Sequence, residues 1–149
     1  NNDINDRITF FGEAGNIIIN TAWNTFDTDV DISGSKSHEK LLEFYEMNSK
    51  FNIKELTLVK QATAPELLED SIALDSIQRL VNQNTISRYR YALNFGLNNG
   101  DSYATPYILM TEAKEANPKY LDSIYKGLTP EVAASKYGKQ FKEFLDKNN

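Results

Sequence analysis

Several groups of side chains in this sequence have types and spacings that chemistry uses. Asp27-x-Asp29-x-Asp31 begins like a calcium loop. Such a loop needs glycine at its sixth position for a sharp turn and a bidentate glutamate at its twelfth. Here those positions hold Ile32 and His38, and the flanking residues read as strand, so the aspartates are expected on a solvated strand face. His38 is the only histidine, with Glu39 and Glu43 close in sequence. No nucleophile-elbow glycine pattern accompanies it, and a lone histidine near a helix start is expected to be structural or exposed. Glu66, Glu69, Asp70 and Asp75 form the densest acidic helical face. Paired carboxylates hydrolyse glycosides when a cleft fixes their separation. Acidic residues in a first helical turn are also favoured by the helix dipole, and that is the expectation here. No catalytic, cofactor-binding or metal-ligating residue is assigned.

Aromatic residues with a polar end are the remaining candidates. Of eight tyrosines, Tyr89, Tyr91, Tyr103 and Tyr107 cluster in sequence, and Trp23 stands between two predicted strands. Such side chains are enriched at interfaces, so these five are the candidate interaction surface.

The elements that must position these residues follow from periodicity and punctuation. Ile8–Phe11 and Asn16–Thr21 are β-branched and aromatic runs separated by Gly12-Glu13-Ala14-Gly15, a hairpin signal. From Phe26 to Ile32 apolar or Thr residues alternate with aspartates, which predicts a third strand packed on one face. A helix capped by Ser35 or Ser37 follows, with Asn48 to Asn52 as a region that bends or loosens it. A break at Ala64-Pro65 precedes a second helical stretch from Pro65 to about Leu97, which Asn82-Gln83-Asn84 could divide. Asn117-Pro118 and Thr129-Pro130 each set a capping side chain before a proline at the first helical position. They predict helices over Pro118–Lys126, with Gly127 as a left-handed stop, and over Pro130–Ala134. Helices over about Ser102–Lys114, capped at Asp101, Ser102 or Thr105, and about Lys136–Asp146 complete the set.

The predicted class is therefore α+β: a small antiparallel sheet of about three strands followed by a stack of five or six helices. Residues 1–34 form the sheet portion and 35–149 the helical portion, packed as one domain. The apolar content of 40% supports one core. A net charge of −5 with only four arginines argues against nucleic acid, which needs clustered cations. Lys136, Lys139 and Lys142 are interleaved with Glu143 and Asp146 and read as a solvated face. The absence of cysteine removes thiol and disulfide chemistry from the chain itself. No apolar run is long enough to span a membrane. The first residue is Asn, not Met, which points to a processed or trimmed chain.

The segments ITFFGEAGNIIINTAW and DISGSKSHEKLLEFYE, together with SYATPYILMTEA and above all LTPEVAASKYGKQFKEFLDK, resemble a known domain. It is the accessory domain that precedes the thioredoxin-like module in envelope thiol–disulfide interchange proteins of Bacteroides-type bacteria. The resemblance covers most of the chain and is strongest from Leu128 to Lys147. It implies a non-catalytic interaction or positioning domain in the envelope or periplasm, without a cofactor. Its partner would be protein, including a following thioredoxin-like domain that carries Cys-x-x-Cys. It also implies further strands ahead of Ile8. The alternative is a small hydrolase or carbohydrate-binding protein using Asp/Glu, His38 and aromatic residues.

Overall fold

The computed structural model describes residues 7–22, 29–67 and 70–148. Two strands, β1 (Ile18–Thr21) and β2 (Val30–Ser33), pair antiparallel with Ile18 opposite Ser33 and Thr21 opposite Val30. Six helices follow: α1 (Lys36–Ala62), α2 (Ser71–Asn98), α3 (Ala104–Glu112), α4 (Pro118–Lys126), α5 (Pro130–Ala134) and α6 (Lys136–Asn148). The α+β architecture of a small antiparallel sheet followed by a helical stack is the one read from the sequence.

Among the described residues the sheet has two strands, not three. Ile8–Phe11 is an irregular strap, because side chains of α1 take the backbone groups of Phe11 that a ladder would have used. Val30 and Ile32 are half-buried and Asp31 is exposed, as strand alternation requires. The first part of that predicted strand, Phe26 to Thr28, lies outside the described residues. Gly34 ends β2 at φ 85°, where a Cβ would sit 2.1 Å from the Asn16 carbonyl oxygen. Only glycine allows the chain to turn there into α1.

Ser35 caps α1, its hydroxyl accepting the His38 amide at 3.1 Å. At 27 residues α1 is about 40 Å long, and it runs unbroken through Asn48–Asn52. The expected loosening is absent because Asn48 is buried with its amide on Glu112, while the Asn84 amide donates to the Phe51 carbonyl. Tertiary packing thus overrides the weak helix propensity of asparagine, and Asn82–Asn84 does not divide α2 for the same reason. The Pro65 helix is shorter than read: Pro65–Leu67 is a single 3-10 turn. α2 begins at Ser71, because the Asp70 carboxylate caps the Ile72 and Ala73 amides.

Asn117 and Thr129 cap α4 and α5 with proline inside each first turn, as their spacing predicts. α4 stops at Gly127 with φ −89°, so the expected left-handed conformation is not used. None of the three proposed caps stands at the N-cap of α3, which is Tyr103; Ser102 nevertheless accepts the Ala104 amide through its hydroxyl.

The core lies where the first half of α1 and the second half of α2 meet α3, α4 and α6. Phe44, Phe95, Ile108, Leu121, Phe141 and Leu145 anchor it. Phe44 stacks on Tyr91 at 5.2 Å and meets Phe95 edge-on. Toward the α1–α2 connection the described residues of the hairpin bury only Leu58, Ile77 and the asparagines.

Candidate functional site

The densest set of buried polar groups lies where the strap crosses the N-terminus of α1. Ser35, Ser37 and His38 are all buried there. The Ser35 hydroxyl donates to the Phe11 carbonyl at 2.8 Å, and the Phe11 amide donates to His38 Nδ1 at 3.3 Å. Nδ1 is therefore the acceptor nitrogen of a neutral imidazole whose hydrogen sits on Nε2. The Phe11 ring closes the same junction, 6.1 Å from Tyr107 of α3 and 5.5 Å from Tyr137 of α6.

Glu13, from the predicted hairpin loop, caps α1 from outside the helix. Its carboxylate accepts the Ser37 amide at 3.2 Å and the Ser37 hydroxyl at 2.7 Å. Ser37 Oγ in turn accepts the Tyr103 amide at 3.1 Å, tying the strap, α1 and the start of α3 together. Partial burial pushes the Glu13 carboxyl up, but hydrogen bonds from the Ser37 hydroxyl and amide, with those from Lys36 and Ser35, outweigh it. The net result is a carboxyl below its ordinary 4.5. An anion held this way is a weak base.

A cleft of about 740 Å³ opens beside this junction, with Glu13, Lys36, Glu39, Glu43 and Asp101 along it. On the other side of α1 the His38 ring borders a shallower pocket of about 330 Å³ with Val30, Asp31, Ile32 and Leu42. Ser37 and His38 are neighbours in sequence yet serve different partners. The Ser37 proton goes to Glu13 and the His38 lone pair to Phe11, so no serine–histidine relay forms.

The other sequence candidates are dispersed. Trp23 lies outside the described residues, as do Asp27 and Glu69. Asp29 and Asp31 are exposed; Asp70 is a helix cap and Asp75 pairs with Arg79 at 2.5 Å. Among the described residues no three His, Cys, Asp or Glu side chains are placed to hold a metal. Tyr89, half-buried, donates to Glu115 at 3.3 Å, and Tyr91 packs on Phe44 inside the hairpin. Tyr103 and Tyr107 belong to the strap junction instead. All four tyrosines pack partly buried against the one core, Tyr89 and Tyr91 from α2 and Tyr103 and Tyr107 from the strap side. Burial, with Glu43 and Glu46 nearby, pushes the Tyr91 hydroxyl up. Burial followed by Glu112 and Tyr107 pushes Tyr45 up to about 12, so both stay protonated at neutral pH.

Sequence reasoning missed Glu13 as a cap and Phe11 as a plug, since their partners lie 24 to 27 residues away. It also missed how much apolar surface stays exposed: Ile53, Leu56 and Val59 on α1, Ile72 and Leu97 on α2, and Tyr120 on α4. No helix of the described chain is long and apolar enough to cross a membrane. Comparison with protein-family models, with curated proteins and with solved structures finds no match to this chain.

Proposed function

We propose that this chain is a non-catalytic interaction or positioning domain. One observation carries the reading: the polar groups that could do chemistry bond one another across the strap junction, while large apolar side chains stand in solvent. The Ser37 hydroxyl faces a carboxylate whose basicity its own hydrogen bonds lower, and the His38 imidazole is held by a main-chain amide, so both contacts serve to fasten the strap. The apolar side chains left in solvent, such as Ile53, Leu56 and Val59 along α1, are where such a domain would meet another macromolecule. In line with the resemblance of Leu128 to Lys147, we place the domain beside a thioredoxin-like module in a bacterial envelope, where it would position that module against its partners.

The intact mass and reading frame of the natural protein, followed by cross-linking, test this. A frame that encodes a Cys-x-x-Cys module, with cross-links from that module to the helical stack, is the expected result. A frame without one, or a module that never touches the stack, would overturn the placement. A second reading, a sugar-binding or glycoside-cleaving protein, rests on the cleft that Glu39, Glu43 and Asp101 border. Chemical-shift changes at those three residues on adding oligosaccharides would favour it.

A further inference from the structure

α2 and α4 lie side by side and leave a groove of about 410 Å³ between them. Its apolar lining is Leu93, Leu97, Tyr120 and Ile124, with Arg90, Asn94 and Ser123 as polar members. Ile124 belongs to the core at 2% exposure, whereas Leu97 and Tyr120 are 61% and 59% exposed. The groove is thus floored by a core residue and walled by exposed apolar side chains that belong to no core.

The apolar lining continues along α2. Ile86, Arg90, Leu93 and Leu97 follow one another at steps of four, three and four residues, a single stripe of the helix. At the rise of an α-helix the stripe is about 16 Å long. A small ligand would fill only the groove. A partner helix of three turns, with apolar anchors spaced at i, i+4 and i+7, would cover the stripe as well.

The charges around the groove narrow the partner further. Arg79 and Arg88 on the same helix pair with Asp75 and Glu55, but Arg90 has no such partner among the described residues. α2 carries no carboxylate after Asp75, and Asp122 beside the groove is neutralised by Lys126 at 2.5 Å. Lys119 stands one turn before Ser123 on α4. The groove is therefore locally cationic on a chain whose net charge is −5. A second copy of this chain pairing stripe to stripe would bring two Arg90 guanidiniums within a turn of each other, with no carboxylate on the stripe between them.

We propose that the α2–α4 groove takes an acidic amphipathic helix of a partner protein, its apolar anchors on Leu93, Leu97, Tyr120 and Ile124 and a carboxylate on Arg90. This rests on the reading of the chain as an interaction domain and gives that reading a place and a partner chemistry.

A displayed library of helical peptides about 18 residues long, roughly five turns, selected against the whole chain tests it. The expected winners combine an apolar stripe with Asp or Glu. Their affinity should fall about tenfold or more for Leu97→Glu and for Arg90→Glu, and lysine-for-glutamate versions should recover binding to Arg90→Glu. Circular dichroism melts establish that both variants fold. Winners without acidic residues, or binding that neither variant weakens, would overturn the groove proposal while leaving an interaction domain standing. A library that yields no binder at all would sink both.

Discussion

The strap junction and the α2–α4 groove invert the usual expectation for a functional surface. At the junction, residue types that catalyse elsewhere are tied up in holding the strap: Ser35, Ser37 and His38 are buried, and half-buried Glu13 accepts from Ser37. At the groove, residue types that build cores elsewhere stand in solvent: Leu97 and Tyr120. Residue type alone would assign chemistry to the first and packing to the second. Hydrogen-bond partners and exposure assign them the other way round. Polar side chains fasten an irregular strap to a helix start, where main-chain groups would otherwise be buried without partners. At the groove rim, Leu97 and Tyr120 keep apolar area in solvent above the buried Ile124.

Substitutions can break or sharpen this contrast. The largest effect is expected where the groove meets the core: Ile124→Ala should destabilise by about 2–5 kcal/mol, since the side chain is buried from below. Denaturant unfolding reads it. Next comes the junction. Ser37→Ala removes both the donor to Glu13 and the acceptor of the Tyr103 amide, which should cost about 1–3 kcal/mol. Smaller still is the pH effect of Glu13. Its folded pKa lies below its ordinary value, so its contribution is present above the unfolded value and is lost as the pH falls through the folded one. The wild type should therefore lose more thermal stability between pH 7 and acid than Glu13→Gln does, as paired melts at the two pH values would show. Smallest of all, Leu97→Ser and Tyr120→Ser should shift stability by no more than about 0.5 kcal/mol, the range of ordinary surface sites. A junction variant that cost nothing, or a groove surface variant that unfolded the protein, would break the contrast.

What the sequence made legible divides by the range of the interaction that decides it. Asn117 and Thr129 were readable as caps, and Ser35 as one of two candidates beside Ser37, because cap and capped amides lie within three residues. The apolar stripe of α6, Tyr137, Phe141, Phe144 and Leu145, was readable because helical period is local. The α+β order was readable for the same reason. The strap was not. Ile8–Phe11 has the composition of a strand, and only Ser35 and His38, far along the chain, divert its backbone. Asn48 and Asn84 misled in the opposite direction. Alone they are weak helix formers, yet Asn48 donates from α1 to Glu112 of α3, and Asn84 donates from α2 to the Phe51 carbonyl of α1. Periodicity identified apolar positions on α2 without telling Leu93, half-buried, from Leu97, exposed, because that difference depends on where α4 lies. Tyr89, Tyr91, Tyr103 and Tyr107 were neighbours in the sequence, but they reach the one core from α2 and from the strap side.

The melting temperatures of His38→Ala and Leu97→Glu, measured beside the wild type, decide whether the junction holds the strap and the groove stands apart from the fold. His38→Ala leaves the Phe11 amide without its acceptor and loosens the strap, so it should melt lower by about 3–10 °C. Leu97→Glu, on an exposed stripe next to Arg90, should melt with the wild type. If His38→Ala melts unchanged while Leu97→Glu unfolds early, the junction is not what holds the strap. The imidazole would then be free for chemistry, and the groove would be part of the fold.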